Sequence, residues 1–233
     1  MNVQFFLTAL ALCPFGVFSQ HHLSASLNSG IGKSALLTDF DSEIAMQTTI
    51  EDRFSMTYNA QLTYTFQKNH WLVETGLAYS MIKGSTTETF NVYDFFNQFN
   101  YSVYTAEETR RSHYLTLPLL LHYTFNKLSF GAGVYGSLKL TDYSAYEFYI
   151  DDMPSGFQQG GNRLSKFDLG ASAKLHYSIT EKIGLQSQVN IGFLDVSNGS
   201  QTGAMYQTLQ LNEATNRQLK NRQLLLGITY RIL

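Results

Sequence analysis

This chain carries one cysteine, three prolines and charged residues at only 15% of its 233 positions. Each scarcity excludes something. A single cysteine supports no intrachain disulfide framework and no cysteine metal centre. Cys13 also lies inside an apolar leader, so the mature chain is expected to hold no thiol. Soluble domains average about 25% charged residues, and this chain falls well short. Its 16 basic and 18 acidic residues sum to -2, which offers no basic surface for nucleic acid. Beyond the leader, no stretch approaches the roughly 18 consecutive apolar residues of a membrane-spanning helix. Mean hydropathy is -0.15. That average does not exclude a membrane barrel, because half of each barrel strand is polar.

What is present begins with an export signal. Val3 to Val17 is almost wholly apolar and small Ser19 follows, which predicts a signal peptide over 1–19, cleaved before Gln20, and one domain over 20–233. The leader has no Lys or Arg ahead of its apolar run. Leu10-Ala11-Leu12-Cys13 loosely resembles a lipoprotein signal, but bulky Leu12 and the following Pro14 argue against acylation.

From Phe54 to Phe66 every second residue is apolar (Phe54, Met56, Tyr58, Ala60, Leu62, Tyr64, Phe66), and the residues between are Ser, Thr, Asn or Gln. A period of two predicts a strand with one greasy and one polar face. Six further segments repeat the pattern, around 71–81, 115–125, 129–140, 166–177, 183–193 and 223–232, and a weaker first strand over 23–27 makes eight. The connections at 67–70, 126–127 and 179–182 are tight turns; those at about 32–52, 84–110, 141–164 and 196–221 are long. Strict alternation of short and long connections matches barrels with short periplasmic turns and long external loops. The expected fold is all-β: an eight-stranded antiparallel up-and-down transmembrane β-barrel, with both termini in the periplasm.

A soluble lipocalin-like barrel also alternates, with its apolar face inward. Three features favour lipid outside instead. The apolar faces carry no charge across their central stretches. Gly, Ser and Ala crowd the polar faces, as a narrow lumen requires. Aromatic residues gather beside the short turns (Tyr64, Phe66, Trp71, Tyr123, Phe125, Phe130, Tyr177, Tyr230), where amphipathic rings meet headgroups.

The run His113-Tyr114-Leu115-Thr116-Leu117-Pro118-Leu119-Leu120-Leu121-His122-Tyr123-Thr124-Phe125 resembles the "YLEIPLLLKY" strand of the PorT-like outer-membrane β-barrel proteins of Bacteroidetes. Phe167-Asp168-Leu169-Gly170, then Tyr177 and Asn190-Ile191-Gly192-Phe193-Leu194-Asp195, resemble the family's "D-x-G … Y … G-L-x-N" stretch, and Leu226 to Arg231 its last strand. Thr116 stands where the family often has an acid, and the chain ends in Leu233 rather than an aromatic residue. The resemblance implies an outer-membrane location and insertion by the barrel-assembly machinery. It links the chain, at a distance, to protein secretion.

By alternation Glu74, Lys139, Lys166, Asp168, Lys174 and Arg231 point inward with His122 and His176. They are expected to neutralise one another as a lumen charge network, with Asp168 diagonal to Lys139 and with Glu74 and Arg231 near the periplasmic end. The connection at 84–110 holds Phe90, Tyr93, Phe95, Phe96, Phe99, Tyr101 and Tyr104, either a recognition patch or a hairpin extending the barrel. The acidic group Asp39, Asp41, Glu43, Glu51 and Asp52 has no spaced metal motif and reads as a solvated loop. Asn198-Gly199-Ser200 reads as a turn. Ser112-His113 near Glu107 and Glu108, with His21-His22, suggests a rim hydrolase, but adjacent strand residues face opposite ways and cannot pair as nucleophile and base. The expected function is a structural or interaction role at the external loops, accessory to secretion, with outer-membrane lipid and a protein as partners. No catalytic residue, cofactor or metal is expected. A narrow solute or ion channel is the alternative, ahead of the hydrolase.

Overall fold

The computed structural model describes residues 20–38, 48–93, 101–161, 165–194, 196 and 217–233. The signal peptide expected over 1–19 lies outside them. Nine strands account for nearly all described residues: β1 (Gln20–Thr38), β2 (Thr48–Lys68), β3 (Trp71–Tyr93), β4 (Tyr101–Phe125), β5 (Leu128–Ile150), β6 (Met153–Gly161), β7 (Phe167–Ser178), β8 (Ile183–Gly192) and β9 (Arg217–Arg231). Their order is β4-β3-β2-β1-β9-β8-β7-β5-β6, and a further β4–β5 pairing closes the first eight into a ring. The terminal strands complete it, from Ser24↔Arg231 to Thr38↔Arg217. Closure is what hydrocarbon demands, because an open edge would leave backbone groups unpaired.

The side chains settle which face is inside. Along β8, Ile183, Leu185, Val189 and Ile191 are exposed while Gly184, Gln186, Gln188 and Asn190 are buried. The rule holds round the ring: Leu27, Phe130 and Leu226 are 73%, 53% and 63% exposed, whereas Asn59, Gln61 and Lys174 are almost sealed off. Monomeric soluble proteins rarely expose apolar patches above a few hundred Å², so a belt of this kind belongs in acyl chains. No helix among the described residues is long and apolar enough to cross a membrane; the strands do the crossing.

The three tight turns lie where the pattern breaks. Asn69 and Asn126 take the left-handed conformation at φ 57 and 53, which Asn tolerates better than most residues. At the third turn, Thr180 Oγ1 accepts from the backbone N–H groups of Lys182 and Ile183 at 3.3 and 3.0 Å.

Much of the long connections is strand, and at 84–110 the structure takes the alternative of a hairpin extending the barrel. β3 and β4 stay paired out to Tyr93↔Tyr101, so most of 84–110 is a hairpin. β5 and β6 likewise form a hairpin within 141–164, turning at Asp151 and Asp152 with φ 48 and 64, positive at both positions as in a type I′ turn. The first and fourth connections shrink as well, since β1 reaches Thr38, β2 begins at Thr48 and β9 at Arg217. β6 is the strand the alternation did not predict. It follows the same edge of β5 as β7, pairing with residues 143–150 where β7 pairs with 128–138. It therefore extends the wall beyond the ring.

Two irregularities position side chains. Between His113↔Thr141 and Tyr114↔Lys139 the β4–β5 ladder skips Leu140. This β-bulge returns Asp142 to the inner face three residues after Lys139. Pro118 belongs to the other irregularity. The β3–β4 ladder runs from Trp71↔Tyr123 to Thr75↔Leu119 and resumes at Ala78↔Thr116, so the two pairs at Pro118 are absent. Thr75 Oγ1 donates to the Pro118 carbonyl at 3.0 Å. That carbonyl faces β3, and so does the position of the missing N–H. The proline is accommodated by a local gap in the ladder.

Candidate functional site

The lumen is filled by side chains, and its middle is tied across the bore. Lys174 on β7 donates from Nζ to Glu74 Oε1 on β3 at 2.5 Å and to Gln61 Oε1 on β2 at 3.2 Å. β4 and β5 lie between β3 and β7, so the ion pair spans the interior rather than joining neighbours. His122 Nε2 stands 3.3 Å from the other Glu74 oxygen. Gln61 Nε2 continues the bridge to Gln188 Oε1 at 2.9 Å, and Gln188 Nε2 donates to Ser172 Oγ and Asn190 Oδ1 at 3.1 and 2.9 Å. A parallel chain runs from Gln186 Nε2 to Asn28 Oδ1 (2.6 Å), Asn28 Nδ2 to Asn59 Oδ1 (2.8 Å) and Asn59 Nδ2 to Ser80 Oγ (2.7 Å). Buried amides and charges are tolerable only when satisfied in this way.

Small residues make room for the bridge. A Cβ on Gly131 would land on the His122 ring, and one on Gly170 would come within 2.6 Å of the Tyr135 ring. This gives the Gly-rich polar face its physical reason.

Of the six predicted network residues, the structure joins Glu74 directly to Lys174. Asp168 is buried but takes its hydrogen bonds from Asn221 Nδ2 at 2.9 Å and Tyr135 OH at 3.4 Å. Lys139 pairs with Asp142 at 3.0 Å, a partner the sequence reading missed because only the bulge turns Asp142 inward. Lys166 is a correction. It is exposed and precedes β7; its carbonyl still accepts from the Lys139 N–H at 2.7 Å, but it sits in a bend just beyond the last ladder pair, Leu138↔Phe167. Arg231 lines the mouth at the short-turn end with Glu74 but is not bonded to it. The amides Asn28, Asn59, Gln61, Gln186 and Gln188 carry much of the network. All but Asn28, which follows the expected first strand, were visible as polar-face residues, but they lack the charge of the others.

Beyond the ring, β2 to β6 continue as an external sheet. Glu108 accepts from Arg110 Nη2 at 2.5 Å and from Tyr146 OH at 2.9 Å on its inner face, while Glu107, Arg111 and Glu147 are exposed. Tyr149 OH donates to Glu147 at 2.8 Å, and this hydrogen bond to a carboxylate raises the phenol above its ordinary pKa. Of the aromatic group, Phe90 pairs with Tyr104 and Tyr93 with Tyr101 across the β3–β4 hairpin; Phe95, Phe96 and Phe99 lie outside the described residues. So do Asp39, Asp41, Glu43 and Asn198. Glu51 forms an exposed pair with Arg53 at 3.5 Å. Ser112 is buried in the lumen, whereas His113 faces outward and bonds the Tyr79 hydroxyl at 2.6 Å. The two do not meet.

The solved structures similar in fold include Neisserial surface protein A (10% identity, covering 91% of this chain and 98% of that one, TM-score 0.35). Ail, the attachment invasion locus protein of Yersinia pestis, is 12% identical over 90% and 98% of the two chains (TM-score 0.37). OprG of Pseudomonas aeruginosa is 12% identical over 91% and 95% (TM-score 0.32). No curated protein matches at the level of sequence. Residues 18–198 match the family described as the outer membrane protein beta-barrel domain. With a closed ring, greasy outside and polar within, matched over most of its length, this chain belongs to that family and resides in the lipid of the outer membrane.

Proposed function

We propose that this protein is a non-conducting outer-membrane barrel that holds an external β-sheet as an interaction surface for a protein partner, in an accessory role to secretion. The observation that carries the reading is the length of β3, β4 and β5, at 23, 25 and 23 residues. A tilted strand crosses the bilayer in about 9–11 residues. The remainder, roughly 3.3 Å per residue, stands above the membrane as continuous paired sheet. Backbone pairing gives such an extension a fixed shape, so a partner meets it with little ordering cost. The cross-bore bridge supports the non-conducting half of the reading. Kinship with the PorT-like proteins of Bacteroidetes rests on the 113–125 strand. Export by residues 1–19 and insertion by the barrel-assembly machinery are the proposed route.

Photo-crosslinking residues at Glu107, Arg111 and Glu147, with Leu119 in the wall as control, test this in intact cells. Protein adducts confined to the external positions, with background conductance in planar bilayers, are expected. Reproducible unitary conductance without external adducts would make the protein a channel instead.

A further inference from the structure

Below the bridge the lumen opens into a cavity of about 90 Å³ at the end that carries the short turns. Its floor is the Glu74–Lys174–His122 group. Its walls include Lys127, Arg231, His22 and His176, with the hydroxyls of Ser24, Ser129, Thr65 and Thr229 between them. Three permanent cations, Lys127, Lys174 and Arg231, thus face one carboxylate, and that carboxylate is already held by Lys174 and His122. The Lys127 and Arg231 side chains form no ion pair among the described residues. An adjoining recess adds Glu181 and Lys182, which offset each other in charge. The cup is a dead end, because Lys174 and Gln61 close it above.

We propose that this cup is a binding site for a compact oxyanion, a phosphate or phosphate monoester, held by Arg231 and Lys127 and by hydroxyl donors of the wall. A planar guanidinium with five donors suits a tetrahedral oxyanion. Arg231 is half-buried at the mouth and Lys127 stands exposed at its rim, so the attraction is that of a partly screened site. The volume admits one such ion and a few waters. The site faces the periplasm, where both free phosphate and the headgroups of the inner leaflet present this chemistry. The proposal does not depend on the external surface, since the isolated barrel suffices to test it.

Calorimetric titration of the refolded barrel in a non-ionic detergent, with inorganic phosphate in one arm and short-chain phosphatidate in the other, reads the site. Imidazole NMR shifts of His22, His122 and His176 supply a local signature. Saturable 1:1 binding that moves those resonances is expected, weakened about tenfold by Arg231→Gln. Lys127→Gln, on an exposed turn remote from the folding core, should weaken it as well. Saturation by phosphate assigns the free ion, and saturation by phosphatidate alone assigns the leaflet; both support the site. Absence of binding in both arms, or binding retained in the Arg231→Gln/Lys127→Gln variant, overturns it.

Discussion

Strand β4 passes through two surroundings. Between 115 and 125 its outward residues are Leu115, Leu117, Leu119, Leu121, Tyr123 and Phe125, whereas between 107 and 111 they are Glu107, Thr109 and Arg111. The backbone does the same thing in both, donating and accepting along antiparallel partners on β5 on either side of the bulge at Leu140. Only the solvent on the outer face differs. The inner face changes less: Ser112 and Arg110 are as buried as Leu120 and His122. The ladder thus supplies the shape throughout, and the outward side chains decide where the membrane stops.

The bore is where breaking this comparison has the largest effect. Glu74→Gln leaves the Lys174 ammonium buried without a counter-charge, and losses of that kind run to about 3–5 kcal/mol. Urea unfolding of the barrel in lipid vesicles should show it, and a Glu74→Gln/Lys174→Met double variant should recover most of the loss. If single and double variants unfold alike, the pair is not what holds the middle of the lumen.

On the wall, Leu119→Arg places a charge among acyl chains and should cost about 2–4 kcal/mol. Thr109→Arg, ten residues away on the same outer face of the same strand, stays within about 0.5 kcal/mol because it meets water. Equal costs at the two positions would mean that the membrane boundary does not fall between them. A third pair sharpens the contrast between the faces. Gly170→Leu drives a side chain into the Tyr135 ring and should cost about 1–3 kcal/mol by overpacking. Gly136→Ala, outward with nothing within 4 Å of its added carbon, should be silent in the same unfolding assay.

The same two surroundings explain what could be read from the sequence. Where one face meets lipid, the alternation is binary, and all eight ring strands could be placed from it together with most of their inward residues, Lys166 excepted. Beyond the membrane both faces meet polar surroundings, so Thr86, Thr87, Thr105 and Thr109 carry no period, and continuous strand looked like loop. β6 was further disguised by Pro154, Gly156, Gly160 and Gly161. Within the lumen the face of most residues was legible, Lys166 and Asp142 excepted, but their partners were not. Lys139 finds Asp142 only because Leu140 bulges, and Lys166 drops out because the chain bends there, just before β7. A register slip of one residue has no signature in a polar run.

Pro118 provides the finest test, because it sits in the membrane-crossing part of β4, buried on the inner face, yet behaves like a defect. The pairs on either side, Thr75↔Leu119 and Ala78↔Thr116, keep the same register, so the strands have not shifted; only the donor is missing. Restoring it with Pro118→Val should let the new N–H meet the β3 backbone and complete the ladder between Thr75 and Ala78. A net gain of about 0.5–1.5 kcal/mol is expected for one hydrogen bond, along with slower amide exchange at Gly76. Were stability and exchange both unchanged, the gap would be a property of the β3 backbone at Gly76, and the proline would merely occupy a place where no bond can form.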